Sequence, residues 1–339
     1  MNFDPSQFTI RALRLEDAPA AVDLFNAYSQ ALVGINSEDV EDCLAGWQTP
    51  GFSLDQDTLY VLDSAGQPVG YAEIWDIAEP HVRMWSFIVP RPDYATSGLC
   101  NFLVSWLVQR GRRGLGKAPV DSRVALLSNI HVEDVNTAAA LERNGFERIR
   151  ASFEMRIEFD RPLSYPQPVD GITIRKMDPE REFEQVVRVQ RESFRDHWGF
   201  VEEPIENVIT RWRHWVETDP LFDPEYWYVA MDGDEIAGIA LCAERNPEDV
   251  NLAWVNILGV RRNWRKRGVG LTLLQYMFAE FQRLGKARVG LGVDAQSLTG
   301  ATRLYERAGM NLHRRYDTYE HVLREGVDLT TRELETADV

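Results

Sequence analysis

The chain has 339 residues, 44% hydrophobic and 27% charged, with a formal net charge of −16. Both halves are acidic: residues 1–161 carry 14 Lys/Arg against 23 Asp/Glu, and the remainder 23 against 30. This excludes a domain-scale basic face for nucleic acid, whose binding is driven by phosphate neutralisation.

The length supports two domains. Cys43, Cys100 and Cys242 are scattered, have no metal-ligand spacing and suit a reducing compartment. Residues 1–8 lack a basic segment followed by an apolar run, and no stretch is long enough to span a bilayer. The expectation is a cytoplasmic protein that binds neither metal, nucleic acid nor membrane, either a monomer or a homodimer.

In chain order, Phe8–Arg11 reads as a strand, and Ala20, Val22, Leu24 and Phe25 form an apolar helical stripe. Thr58–Val61 and Val69–Ala72 flank a polar turn, the mark of a hairpin, and Met84–Val89 is a further apolar strand. A helix closes on Leu141–Phe146. Residues 161–171 hold three prolines and a glycine and read as a linker. The order then repeats. Ile172–Arg175 is a strand, and Phe183, Val186, Val187 and Val189 make a stripe. Trp227–Ala230 and Ile236–Ala240 flank a turn, Ala253–Val260 is a strand, and a last helix closes on Tyr305–Met310. Arg11 and Arg175, and Gly145 and Gly309, are each 164 apart, and Gly98 and Gly268 are 170 apart. Ordered matches at a near-constant offset predict a duplicated α/β domain. The expected boundaries are 1–161 for the first copy, 162–171 for the linker, 172–327 for the second copy and 328–339 for a fraying polar tail.

The sharpest motif follows the strand ending Leu258-Gly259-Val260. Five of the seven residues Arg261–Arg267 are basic, and Gly268-Val269-Gly270 then opens a helix. Amides at a helix start suit an anion, and glycines let phosphate oxygens approach the backbone. No Gly-Lys-Ser/Thr follows, so this is not a Walker loop. A solvated basic loop remains the plain alternative. Downstream, Arg288–Val293 reads as a strand. A helix then carries Ala301, Leu304 and Tyr305 on one face.

Arg265-x-x-Gly268-x-Gly270 after a strand, with Leu304-Tyr305-Glu306-x-x-Gly309-Met310 after a second strand, resembles the GCN5-related N-acetyltransferase (GNAT) superfamily over about residues 172–325. The tandem layout is also similar to that of the mycothiol synthases, whose amino-terminal copy is the weaker one. The resemblance implies two GNAT-like α/β domains, each a mixed, bent sheet with helices on both faces and acyl-CoA lying where two strands splay. Carried onto this chain, it implies that the amides of Arg265, Lys266, Arg267, Gly268, Val269 and Gly270 hold the pyrophosphate of acetyl-CoA. Leu258 and Val260 would pair with the pantetheine arm, Ser297 would lie near it, and Arg261 or Arg262 would reach the 3′-phosphate.

The implied reaction moves an acetyl group from the thioester to an amine by direct attack. A small-molecule primary amine is the first expectation for the acceptor. A protein or peptide amine, or a non-catalytic acyl-CoA-binding tandem, are the alternatives. Tyr305, protonated at neutral pH with an ordinary pKa near 10, would protonate the leaving thiolate, and an amide near Leu258 or Gly259 would hold the carbonyl oxygen. The base is open. Relatives place Glu where this chain has Trp254, and the candidates are Glu244, Glu248, Asp249 and His197. Trp198, Trp212, Trp215 and Tyr226 are candidate acceptor walls, with core packing the better reading of Trp212 and Trp215. The first copy has Ala95, Cys100 and Leu141 where the second has Arg265, Gly270 and Tyr305. It is expected to be catalytically silent.

Overall fold

Local signals open the elements of this computed structural model, which describes residues 3–96, 98–297 and 300–333. The first half runs β1 (Thr9–Arg11), α1 (Ala18–Val33), α2 (Val40–Trp47), α3 (Leu54–Asp57), β2 (Thr58–Leu62), β3 (Pro68–Trp75), β4 (Arg83–Pro90), α4 (Leu99–Gly114), β5 (Val124–His131), α5 (Val135–Arg143) and β6 (Glu147–Glu158). The second runs β7 (Ile172–Lys176), α6 (Pro179–Phe194), α7 (Ile205–Thr218), β8 (Trp227–Asp232), β9 (Glu235–Ala243), β10 (Leu252–Val260), α8 (Val269–Arg283), β11 (Arg288–Asp294), α9 (Ala301–Arg307) and β12 (Asn311–Arg324). Capping explains the starts. Asp178 accepts the Glu180 and Arg181 amides ahead of α6, whose first residue is Pro179. That pairing suits a helix start, where the missing proline N–H would have had no partner.

The duplicated α/β layout is present, but its two spatial units do not follow the predicted cuts. Among the described residues, unit one holds 3–151 with 316–329, and unit two holds 152–315 with 330–333. In unit one the strands lie in the order β1-β2-β3-β4-β5, and Tyr316–Arg324 of β12 pairs antiparallel with β5. In unit two the order is β7-β8-β9-β10-β11, and Ser152–Glu158 of β6 pairs antiparallel with β11. Each unit thus takes its last strand from the other repeat. The backbone groups along the outer edges of β5 and β11 need partners. Periodicity identifies a strand without saying which edge it completes.

Two further expectations are corrected. Residues 162–171 are not a free linker: Gln282 on α8 donates to the Arg161 carbonyl at 2.8 Å and accepts the Leu163 amide at 2.6 Å, and the Tyr165 hydroxyl donates to Glu280 at 2.5 Å. Of the expected fraying tail, residues 334–339 lie outside the described residues, and the described part is held at Thr331. Thr331 exchanges backbone hydrogen bonds with the loop after α6, accepting from Gly199 at 2.6 Å and donating to Phe200 at 2.9 Å.

In unit two, alternate residues of one strand feed two apolar layers. Ala237, Ala240 and Cys242 of β9 belong to a cluster with Leu273, Leu274, Met277 and Phe281 of α8. Ile236, Ile239 and Leu241 belong to a second, with Val186 and Val187 of α6 and Trp212 of α7. Helices therefore cover both faces of the sheet. Trp212 and Trp215 pack edge-on against Phe222, Trp212 within the core and the half-buried Trp215 at its margin. Among the described residues, no helix is long and apolar enough to cross a membrane, and no His/Cys/Asp/Glu group is arranged to hold a metal.

The strand exchange is testable by fragmenting the chain. A fragment of residues 172–339 lacks the strand that covers β11, and it is expected to aggregate in size-exclusion chromatography. A fragment of residues 147–339 restores that strand and should give a larger soluble fraction. Equal behaviour of the two fragments would contradict the pairing.

Candidate active site

β10 and β11 run parallel only from Leu252 to Val255 and from Arg288 to Leu291. Beyond those residues β10 continues to Val260 and β11 to Asp294 without pairing to each other, so the two strands part. A β-bulge accompanies the opening. On the β9 side Val255 faces Cys242 and Ile257 faces Leu241, which leaves Asn256 without an opposite number. A bulge bends its strand and re-aims the side chain, and Asn256 is exposed into the opening.

A cavity of about 140 Å³ fills the mouth of the opening. Tyr305, His197 and Ser297 line it together with Leu258, Trp198 and Asn256. Tyr305, His197, Ser297 and Leu258, which the sequence placed on four different elements, therefore meet. Tyr305 is 8% exposed. Burial pushes its hydroxyl up to about 12, so it holds its proton across the neutral range. His197 packs against Phe194, the rings tilted by 42° with centroids 4.2 Å apart. Burial, with Arg265 second, pushes its pKa below the usual 6.5, and the ring is neutral at neutral pH. The Ser297 hydroxyl is within 3.4 Å of the Ala301 amide at the start of α9.

The basic loop leads from β10 into α8. Trp264 anchors it, buried to 8% exposure and donating its indole N–H to Asp232 at 2.7 Å. Lys266 takes a left-handed φ of 60° and Gly268 one of 90°. Left-handed backbone costs a side chain about 1–2 kcal/mol, so Gly268 relieves strain that Lys266 bears. The amides that open the 15-residue α8 have no carbonyl one turn back, and the helix dipole adds positive potential there. At Gly270 a Cβ would lie 3.2 Å from Leu304. The glycine keeps α8 close to α9.

The side chains of this loop do something else. Arg261 pairs with Glu192 at 2.9 Å and Glu235 at 3.3 Å. Arg262 reaches Asp196 through Nε at 3.0 Å. Arg265 donates to Asp196, to the Val260 carbonyl at 3.0 Å and to the Ser193 carbonyl at 3.0 Å. Arg267 lies 3.7 Å from Asp232. The expectation that Arg261 or Arg262 reaches a 3′-phosphate thus meets competing carboxylates, and the Val260 carbonyl offered to pantetheine already accepts Arg265. Gly259 and Val269 are buried, whereas Lys266 is exposed.

The acidic base candidates lie elsewhere. Glu244, at the end of β9, pairs with Lys286 at 3.0 Å, which holds its carboxyl below the usual range. It does not line the cavity. Glu248 sits in a buried quartet with Glu154, Arg156 and Arg314, and Asp249 pairs with Arg288 at 3.3 Å. Trp254 lays its indole over Gly290, where a Cβ would come within 2.5 Å of it. Tyr226 interacts with Glu244. Sequence reasoning missed Asn256 and Asp294, both on the cavity wall. The break in alternation at Asn256 was the one available signal.

Unit one keeps Gly98 at the start of α4, with φ 95°, but Phe3 covers it, its Cβ 3.7 Å from where a glycine Cβ would be. Cys100 is buried with Sγ 3.4 Å from the Ala95 carbonyl. Tyr28 hydrogen-bonds the buried Asp134 ahead of α5. Leu141 is fully buried.

Parallel strands that part beside an amide-rich helix start define an acyl-CoA-dependent acyltransferase fold. The Acetyltransferase (GNAT) family profile matches residues 183–310. A mycothiol acetyltransferase of Geodermatophilus obscurus is 28% identical over 216 residues, which is 60% of this chain and 67% of that protein. A mycothiol acetyltransferase of Parafrankia sp. is 26% identical, over 90% of this chain and 94% of that one. The crystal structure of a GCN5-related N-acetyltransferase from Sphaerobacter thermophilus superposes with a TM-score of 0.80 at 29% identity, covering 97% of this chain and 99% of that one. Residues 183–310 thus fall within the GNAT acetyltransferase family, and the chain as a whole resembles tandem-domain GNAT proteins.

Enlarging Gly290 should cost stability through Trp254. Gly290→Val is expected to lose about 1–3 kcal/mol by overpacking in urea unfolding, and less in a Trp254→Ala background. Equal losses in both backgrounds would place the strain elsewhere.

Proposed function

We propose that unit two transfers the acetyl group of acetyl-CoA to the primary amine of a small molecule. The carrying observation is the single cavity in which Tyr305 and His197 meet at the mouth of the parted strands. The amides from Arg265 to Gly270 hold the diphosphate, and the cavity receives the thioester. The name mycothiol acetyltransferase of the sequence relatives supports a small-molecule acceptor.

In this reading His197, neutral because it is buried, takes a proton from the incoming amine. The amine nitrogen bonds to the thioester carbonyl carbon. The carbon–sulfur bond then breaks with its electron pair on sulfur, and Tyr305 supplies the proton that makes the free thiol. A raised pKa makes Tyr305 a poor acid in water. The burial that raises it also disfavours a thiolate formed beside it, so the sulfur remains a competent acceptor. Unit one performs no transfer. Phe3 over Gly98, the Cys100 side chain and Leu141 in place of the donor all support that assignment.

Tyr305→Phe should leave acetyl-CoA affinity unchanged in calorimetry while kcat for thiol release, with a panel of primary amines, falls about 10²–10⁴-fold. Unchanged kcat would remove Tyr305 from the chemistry. The pH profile tests the base. Protonated imidazole accepts nothing, so kcat should fall as pH drops through an apparent pKa below 6.5. His197→Gln should lower the plateau by about 10² and abolish that limb. A limb that survives the substitution belongs to another group.

A further inference from the structure

Asp196 is 3% exposed, yet two arginines of the cofactor loop converge on it. Arg265 commits all three of its guanidinium nitrogens inside the protein, to the Val260 carbonyl at the end of β10, the Ser193 carbonyl in the last turn of α6, and Asp196. Its side chain is therefore a brace, although the sequence motif reads as phosphate-binding. Arg262 adds a two-pronged fork to the same carboxylate, on which Arg265 places a single N–H. The next two residues, His197 and Trp198, line the cavity.

The far end of this short loop is also tied. Gly199 donates to the Thr331 carbonyl at 2.6 Å, Thr331 donates to the Phe200 carbonyl at 2.9 Å, and its hydroxyl donates to the Arg195 carbonyl at 3.1 Å. A loop held at both ends has few independent arrangements. Its position follows that of its anchors.

We propose that Asp196 is a positioning residue that couples occupation of the cofactor cradle to the placement of the acceptor-side loop carrying His197 and Trp198. This rests on the acetyl-CoA reading above. A diphosphate on the amides of Arg265–Gly270 orders the segment from Arg261 to Gly268. The planar guanidiniums of Arg262, forked on Asp196, and Arg265, bonded to it once, have a fixed geometry toward their acceptors, and they pass that order to Asp196. Residues 195–200 then have less freedom left to lose when an acceptor binds. By linkage the acceptor tightens the cofactor to the same degree. The buried carboxylate is held ionised by its arginines, at a pKa of about 2, so the brace persists across the working pH range.

The test is hydrogen–deuterium exchange on the full chain, with and without acetyl-CoA, read at residues 265–271 and 195–200. In the wild type, acetyl-CoA should slow exchange at both, the acceptor-side loop by roughly 5–10-fold, within the range usual for coupled sites. In Asp196→Asn it should slow only residues 265–271, and Asp196→Glu, which keeps the charge, should recover part of the effect. Protection of 265–271 with no change at 195–200 in the wild type overturns the coupling alone. So does coupling that survives intact in Asp196→Asn. Absence of protection at 265–271 defeats the acetyl-CoA reading and the coupling with it. If Asp196→Asn does not fold, the wild-type comparison and Asp196→Glu still decide.

Discussion

Four residues of parallel pairing, followed by separation, govern the architecture of unit two. Where β10 leaves β11 beyond Val255, backbone that a continuous sheet would use internally faces a cavity instead. The bulge at Asn256 lets β10 stay paired to β9 while it bends away. α8 and α9 flank the opening because the chain leaves each parted strand through a short loop into a helix. The α8 amides and Tyr305 are thereby brought to it. The helix start, the cavity and the placement of Tyr305 on its wall are consequences of one interrupted ladder.

The electrostatics follow a related economy. A chain of net charge −16 concentrates cations in one loop, and most of them are used to fasten the loop down. Arg261, Arg262, Arg265 and Arg267 each meet a carboxylate of unit two. The positive potential left facing outward is that of the exposed Lys266 and of the peptide dipoles of the helix start, which need no side-chain ordering to act. Acids that resembled catalytic candidates are likewise committed. Glu248 belongs to a buried quartet with Arg156, and removing one partner there would strand an uncompensated charge.

The helix and strand types, the duplication, the glycine-opened helix and Tyr305 were legible in the sequence because each depends on short-range pattern. Alternating apolar residues mark β9, and Gly268 marks a backbone turn that side chains resist. What escaped depends on partners far apart in the chain. Nothing local in Ser152–Glu158 says that it will cover β11, or in Tyr316–Arg324 that it will cover β5. Three prolines made 162–171 look free, yet Gln282 on α8 binds the backbone at both Arg161 and Leu163. Glu244 looked available until Lys286 appeared beside it. His197, one of several equal candidates in sequence, was distinguished only by the cavity it faces.

The exchanged strands bear on how this polypeptide is made. A ribosome that has released residues 1–151 has supplied all of unit one except residues 316–329, which follow only after most of unit two has been made. Until that stretch emerges, β5 carries an open edge, and nascent open edges invite wrong neighbours. The first-made half must wait for a strand made after the second repeat's helices. Completion of the first unit therefore trails the synthesis of most of the second.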